Sequence, residues 1–383
     1  MADKQTNVNK KKLPLPFNEM LENYILAKDK IPDDFNSDHW DVFPKDYEKT
    51  ILSMSSWKNF LRNSISIGYN DDLLDLENTR WSESKNNDAW SLRRKHDHRV
   101  LLSTVSDIKK LTDCFNVVSS ICTRDFVLNN IASDNGMPVT GKVSIKTEES
   151  SIDLKTGEKK EIIKESNVVC SFSDLSNIYY FWQISRIMDI LKKNIRPTIL
   201  EIGSGHGLMV SKIKKKYPNS RCILFDLPEL SAVQTYYLNL EFPDAKILYY
   251  KDLLDEESSI FNSDFDFLIL PGWMIDKVPE KYIDVAINIR SMMEMNQKTI
   301  QYYFDNIQRT MKDGGLFACI NRYIKNSSGE DSILKQYPYD DYWSILISQT
   351  ATMQPHIHEL ILRRENRKSD LTVSDSLKSL IPF

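Results

Sequence analysis

Thr198-Ile199-Leu200-Glu201-Ile202-Gly203-Ser204-Gly205-His206-Gly207 is an apolar run that carries one carboxylate near its end and then breaks into three glycines spaced two apart. An amphipathic stretch, 208–217, follows at once, so the passage reads as strand, tight turn and helix. Glycine in such a turn admits positive φ and lets a ligand approach the main chain, and the helix start behind it offers unpaired N–H groups. The spacing discriminates among nucleotide-like ligands. A dinucleotide fingerprint, G-x-G-x-x-G, needs its third glycine where helix packs on strand. That position here is Leu208, and the glycine sits one residue earlier, which disfavours a pyridine dinucleotide.

Working outward, Arg221-Cys222-Ile223-Leu224-Phe225 reads as the next strand, with Asp226 directly behind it. In doubly wound folds an acidic residue at the end of the second strand, about twenty residues past the first glycine, accepts the ribose hydroxyls. Asp226 is therefore the candidate ribose ligand. The plainer alternative is a generic βαβ unit whose Asp226 caps the helix opened by Leu227-Pro228-Glu229. Beyond it, 247–250, 265–270 and 283–288 compete for two places in the sheet, and 265–270 with 284–288 are preferred. A long helix over 291–311, the stop Asp313-Gly314-Gly315 and a fifth strand at 316–321 follow. An antiparallel pair, 343–347 and 360–363, closes the order. The fold class expected is α/β, doubly wound, with a mostly parallel seven-stranded sheet ending in an antiparallel hairpin.

Upstream the texture differs. Residues 1–15 read as a disordered tail, and 16–175 as a mainly helical region. Tyr47, Ile51, Met54, Trp57, Phe60 and Leu61 lie at helical spacing, and 100–126 repeats the pattern. Asn135-Gly136-Met137-Pro138 is a turn signal. The alternation at Val143 and Ile145, the Thr156-Gly157 turn and Glu161-Ile162-Ile163 predict a small β hairpin, an insertion suited to covering a substrate cleft. The doubly wound half is expected over 176–383, its first helix carrying Tyr179, Tyr180 and Trp182.

With 383 residues, 41% hydrophobic and 27% charged, and a formal net charge of −4, the chain has no basic field for nucleic acid. The densest basic run, Arg93 to Arg99, reads as a solvated helix face or a contact for an anionic substrate. Five cysteines show no C-x-x-C pair and no metal-ligand spacing. Reduced core thiols, a cytoplasmic location, and no signal peptide or membrane span are expected.

These motifs together resemble the class I S-adenosylmethionine-dependent methyltransferases, and within them the sugar O-methyltransferase group. The resemblance rests on 200–207, on Phe225-Asp226-Leu227-Pro228-Glu229, on Leu270-Pro271-Gly272-Trp273, on Ile287-Asn288 through Ser291 to Glu294-Met295, and on Asn321-Arg322. It spans about 176–364 and departs from the group's pattern at Ile289, where a small polar residue is usual. It implies S-adenosylmethionine as cofactor, met by Glu201, Gly203, Ser204, Gly205, Gly207, Asp226, Leu227, Trp273, Asn288 and Ser291. The implied acceptor is a small molecule or glycan, and a homo-oligomer is compatible with it.

A sugar hydroxyl is a poor nucleophile, so a general base is expected. Glu294 is the first candidate, placed one to two turns into the helix after the fourth strand, or else an anchor for Arg322 or Arg290. His206, in the glycine loop, is the second. Arg322 is a candidate for an acceptor phosphate or carboxylate. Tyr179 and Tyr180 either reach the acceptor or cofactor carboxylate, or simply pack. His356 and His358 read as surface loop histidines rather than metal ligands, and a metal-independent enzyme is expected. Two rival readings remain: a small-molecule or natural-product O- or N-methyltransferase, and a catalytically silent binding subunit.

Overall fold

The computed structural model describes residues 17–32, 35, 111–131, 141–152, 159–170, 172–191, 196–255, 260–326, 331–352 and 354–378. The helical stretch expected over 46–64, the Arg93–Arg99 run and the tail 1–15 lie outside them. The chain divides into two compact units.

The second unit, within Gly68–Leu191, has helix at 111–122 and Arg124–Asn130, a hairpin of β1 (Gly141–Ile152) and β2 (Lys159–Cys170), and the helix Phe172–Ile190. The expected hairpin is there, and longer than its alternation suggested. It pairs without a break from Gly141 opposite Cys170 to Ile152 opposite Lys159. Packing thus groups the helix bearing Tyr179 and Tyr180 with the residues before it, whereas the linear reading began the second domain at 176.

The first unit is built on one sheet. Its strands are β3 (Thr198–Ile202), β4 (Arg221–Asp226), β5 (Ile247–Tyr249), β6 (Phe267–Pro271), β7 (Ile283–Ile289), β8 (Met311–Arg322), β11 (Trp343–Ala351) and β12 (Gln354–Arg364). Two short strands, β9 (Ile324–Asn326) and β10 (Asp331–Ile333), form a separate hairpin. The spatial order is β11-β12-β8-β7-β3-β4-β6-β5, parallel from β5 through β8 and antiparallel at β12 and β11. The α/β doubly wound architecture is as expected, with one correction. The sheet has eight strands rather than seven, because all three competing segments are strands and β5 adds an edge beside β6.

The central strands lie under cover on both faces, so they read as near-continuous apolar runs. β3 and β6 are buried throughout. The helix Phe17–Lys28 also belongs to this unit. Lys251 pairs with its Glu19 and Glu22, and Asn23 Oδ1 accepts the Tyr250 N–H at 3.2 Å. Polar residues inside the strands therefore need individual accounts. Asp284, at the amino edge, has one: it accepts the Thr198 N–H at 2.9 Å and meets Lys312 at 2.8 Å. The polar groups at the opposite, carboxyl edge are of a different kind.

Candidate functional site

Ligands of open α/β sheets bind outside the carboxyl ends of the strands, where the chain order reverses. Here that reversal falls at β3, between β4 and β7. The turn after β3 has Gly203, Gly205 and Gly207 all at positive φ, 66°, 59° and 91°. Gly207 N–H closes the turn on Ser204 O at 2.9 Å and then caps the helix Leu208–Lys216. The three glycines do different things. A Cβ on Gly203 would run into the Ser291 hydroxyl, one on Gly207 would make ordinary contact with Leu238, and one on Gly205 would meet nothing within 4 Å. The main chain at Gly205 therefore faces open space.

Asp226, the last residue of β4, is buried and bound to this turn. Its Oδ2 accepts the Gly205 N–H at 2.9 Å and Gln234 Nε2 at 3.0 Å, while Oδ1 accepts the Leu227 N–H at 2.9 Å. Burial nonetheless pushes its pKa up to about 7. Glu201 is buried too, and its Oε2 has no hydrogen-bond partner. Burial first, then the neighbouring Asp226 charge, raises it to about 8. The two carboxylates thus sit out of water beside an open stretch of backbone, with an acceptor oxygen to spare. An orphaned carboxylate oxygen and an uncovered glycine suit a nucleoside bearing hydroxyl donors and a cationic group.

Gln234 was not singled out in the sequence. On the helix Pro228–Glu241, its Nε2 bridges Asp226, Gly205 O at 2.9 Å and Ser204 Oγ at 3.4 Å. It locks the carboxylate to the turn, and its spacing alone carries no signal for that role. Tyr303 was missed for the same reason. Its hydroxyl fills the space a Gly272 Cβ would take, near the Asp226 carbonyl, so β6 ends against Asp226 only because residue 272 is glycine.

On the other side of β3, Asn288, Ser291 and Asn321 form one network. Asn288 Nδ2 donates to Ile202 O at 2.9 Å and to Ser291 Oγ at 2.5 Å, and Ser291 Oγ donates to Ile202 O at 3.1 Å. Asn321 Nδ2 donates to Asn288 Oδ1 at 2.9 Å. These residues fasten the end of β3 to those of β7 and β8, behind the glycine turn. Trp273, in a short turn after β6, is partly buried. Its ring meets Phe35 edge-on at 6.4 Å and its carbonyl accepts the Tyr302 hydroxyl at 2.7 Å.

Several expectations need correction. Glu294 does not lie in the long helix, which runs Gln297–Thr310 from its Asn296 cap; it sits in a single turn, Met292–Glu294, and pairs with Lys325. His206 is buried edge-on against Tyr237 at 5.1 Å, and burial with the Lys212 charge lowers it to about 3. Such an imidazole stays neutral and accepts protons poorly at neutral pH. His358 is no surface residue: it is buried in β12, its ring nitrogens at 2.9 Å from Ser348 Oγ and 3.1 Å from Tyr323 OH. Among the described residues no group of three His, Cys, Asp or Glu has metal-site geometry. No helix there is long and apolar enough to cross a membrane. Tyr179 and Tyr180 are buried in the second unit, with ring centroids 5.6 Å apart.

Residues 165–251 match a family model described as an O-methyltransferase domain. A comparison with curated proteins gives no match. Among solved structures, the mitomycin 7-O-methyltransferase MmcR aligns at 14% identity over 50% of this chain and 60% of its own, with TM-score 0.32. An O-methyltransferase family protein from Burkholderia thailandensis aligns at 11% over 50% and 59%, TM-score 0.33. An O-methyltransferase family 2 protein from Planctomyces limnophilus, solved with apigenin, aligns at 13% over 49% and 61%, TM-score 0.33. The chain spans about three fifths of the length of these structures. Likeness at this level carries no argument about what the chain acts on.

Proposed function

We propose that this chain transfers a methyl group from S-adenosylmethionine to a hydroxyl of a sugar, free, nucleotide-linked or within a glycan. The observation that carries the cofactor half is the buried, unpartnered Glu201 Oε2, next to Asp226 and to a turn whose Gly205 would leave a Cβ in open space. A buried carboxyl oxygen left without a hydrogen-bond partner is costly, and a hydroxyl-bearing, cationic ligand that pairs with it and favours its ionised form offsets that cost. The match of residues 165–251, which contain the turn and both carboxylates, supports oxygen as the methylated atom.

When bound, the cofactor supplies a methyl group made electrophilic by its sulfonium. Asp226 accepts from the ribose hydroxyls and Gln234 keeps that carboxylate aimed. Gly203, Ser204, Gly205 and Gly207 present main chain; Leu227 and Trp273 complete the wall, and Asn288 and Ser291 hold the turn from behind. Glu294 takes the proton of the acceptor hydroxyl, with Lys325 orienting it. No metal is needed for this scheme, since positioning and water exclusion supply much of the rate in a displacement of this type. The sugar half rests on the resemblance at 270–273, 287–295 and 321–322. Five cysteines with no C-x-x-C pair among them suit a cytosolic setting.

Titration calorimetry of the full chain with S-adenosylmethionine, followed by mass spectrometry of a panel of acceptors, tests this. Binding plus a gain of about 14 Da, one methylene, on a sugar hydroxyl is the expected result. Absence of binding sinks the enzymatic reading, and a product methylated only on nitrogen or on a non-sugar hydroxyl sinks the acceptor.

A further inference from the structure

Arg290 follows β7 by one residue and Arg322 ends β8, the adjacent parallel strand. The Arg290 N–H donates to Ile320 O at 2.8 Å, which ties its backbone beside the last residues of β8. Both side chains are only partly exposed, and the Nε of each is buried without a hydrogen-bond partner. Among the described residues neither guanidinium has a carboxylate. Glu294, one expected anchor, pairs with Lys325 instead. Both positive charges are felt at His356, whose imidazole is held below its usual range by burial first, then by Arg322 and Arg290.

Arg290 also takes φ 63°, a left-handed backbone that a residue with a side chain adopts only where its surroundings impose it. Its neighbour Ser291 occupies the space above Gly203, so this corner of the sheet edge adjoins the glycine turn. Two cations on adjacent strand ends, partly out of water and with no counter-charge among the described residues, are mutually unfavourable. A guanidinium presents a planar fork of N–H donors that matches a carboxylate or a phosphate.

We propose that Arg290 and Arg322 together receive an oxyanion borne by the methyl acceptor, so that the acceptor is an acidic or phosphorylated molecule rather than a neutral one. The proposal rests on the methyl-transfer reading and names the acceptor class of that site. Carboxylate and phosphate share the required chemistry.

Full-length protein saturated with S-adenosylhomocysteine is titrated with inorganic phosphate, glucuronate and neutral glucose, alongside Arg290→Gln and Arg322→Gln. One or both anions should bind the unaltered protein, and each substitution should weaken that binding at least tenfold while leaving S-adenosylhomocysteine affinity unchanged. Tighter phosphate points to a phosphorylated acceptor, tighter glucuronate to an acidic one. Equal anion binding in the variants overturns the proposal. So does loss of S-adenosylhomocysteine affinity in a folded variant, which would assign the arginines to the cofactor carboxylate.

A readout without substitution guards against misfolding. Phosphate or glucuronate should slow phenylglyoxal modification of Arg290 and Arg322, followed by peptide mass spectrometry, by several fold; unaltered rates with both anions overturn the proposal. Failure of the unaltered protein to bind S-adenosylhomocysteine would sink the methyl-transfer reading instead, and the anion protection reads out separately from it.

Discussion

Gly203 and Ser291 share a space that holds one side chain: a Cβ on Gly203 would fall inside the Ser291 hydroxymethyl group. Gly203→Ala therefore combines a left-handed backbone cost with a clash, together about 3 kcal/mol of stability, and should abolish S-adenosylmethionine binding. Adding Ser291→Gly relieves the clash alone. The double variant should regain about half of the lost stability in urea titrations; no regain would mean that the steric contact is not what demands glycine.

The two buried carboxylates predict an inverted pH response. Burial raises Asp226 to about 7 and Glu201 to about 8. Above the unfolded carboxyl range the unfolded chain is ionised while the native site still holds its protons. Unfolding therefore releases protons, and this contribution to stability falls as pH rises, by up to about 1.4 kcal/mol per pH unit per group. It is fully present below about pH 4 and is lost progressively from there through about 7 to 8. The stability of the unaltered protein relative to Asp226→Asn, measured by denaturation across that range, should decline with pH. A rising difference would contradict the burial argument. Ribose hydroxyls that donate to Asp226 favour its ionised form, so S-adenosylmethionine affinity should increase over the same interval.

Removal of the Glu294 carboxylate tests the proposed base. Glu294→Gln should lower kcat by about 10²- to 10⁴-fold, the usual range for a general base, with S-adenosylmethionine affinity intact. Unchanged turnover would remove Glu294 from the chemistry.

His206→Gln should leave the shape of the pH–rate profile unaltered. An imidazole held at about 3 does not titrate in the working range. Loss of a limb near pH 6 to 7 in this variant would show that His206 is charged during turnover after all.

Asn288 is fully buried and its amide donates to both Ile202 O and Ser291 Oγ. Asn288→Asp sets a carboxylate against a carbonyl that needs a donor, and should cost about 3 kcal/mol. Thermal melts of Asn288→Asp and Asn288→Ala distinguish charge burial from the loss of one hydrogen-bonding group, since only the first should recover on acidification.

Much of the site was legible because it is local in sequence. Leu200 to Gly207 carries strand, carboxylate and turn within eight residues, and Asp226 ends its own strand. Gln234, Tyr303 and the pairing of Arg290 with Arg322, itself already a candidate for an acceptor anion, were not legible, because each depends on a neighbour in space. The three apolar segments between 247 and 288 were ambiguous for a related reason: periodicity marks a buried strand without saying whether the sheet has room for it. Glu294 was misplaced because the long helix was expected to start at 291, while the true helix start waits for Asn296, whose Oδ1 accepts the Thr299 N–H.

The sequence by itself determined the doubly wound fold and the glycine turn, because apolar continuity and positive-φ glycines are properties of short stretches of chain. Only the tertiary structure decided that Glu201 keeps an unpaired oxygen, that Glu294 answers to Lys325, and that two arginines share an edge with no counter-charge among the described residues. Charge pairing and burial depend on which strand lies beside which, and that is set by packing across the sheet rather than by distance along the chain.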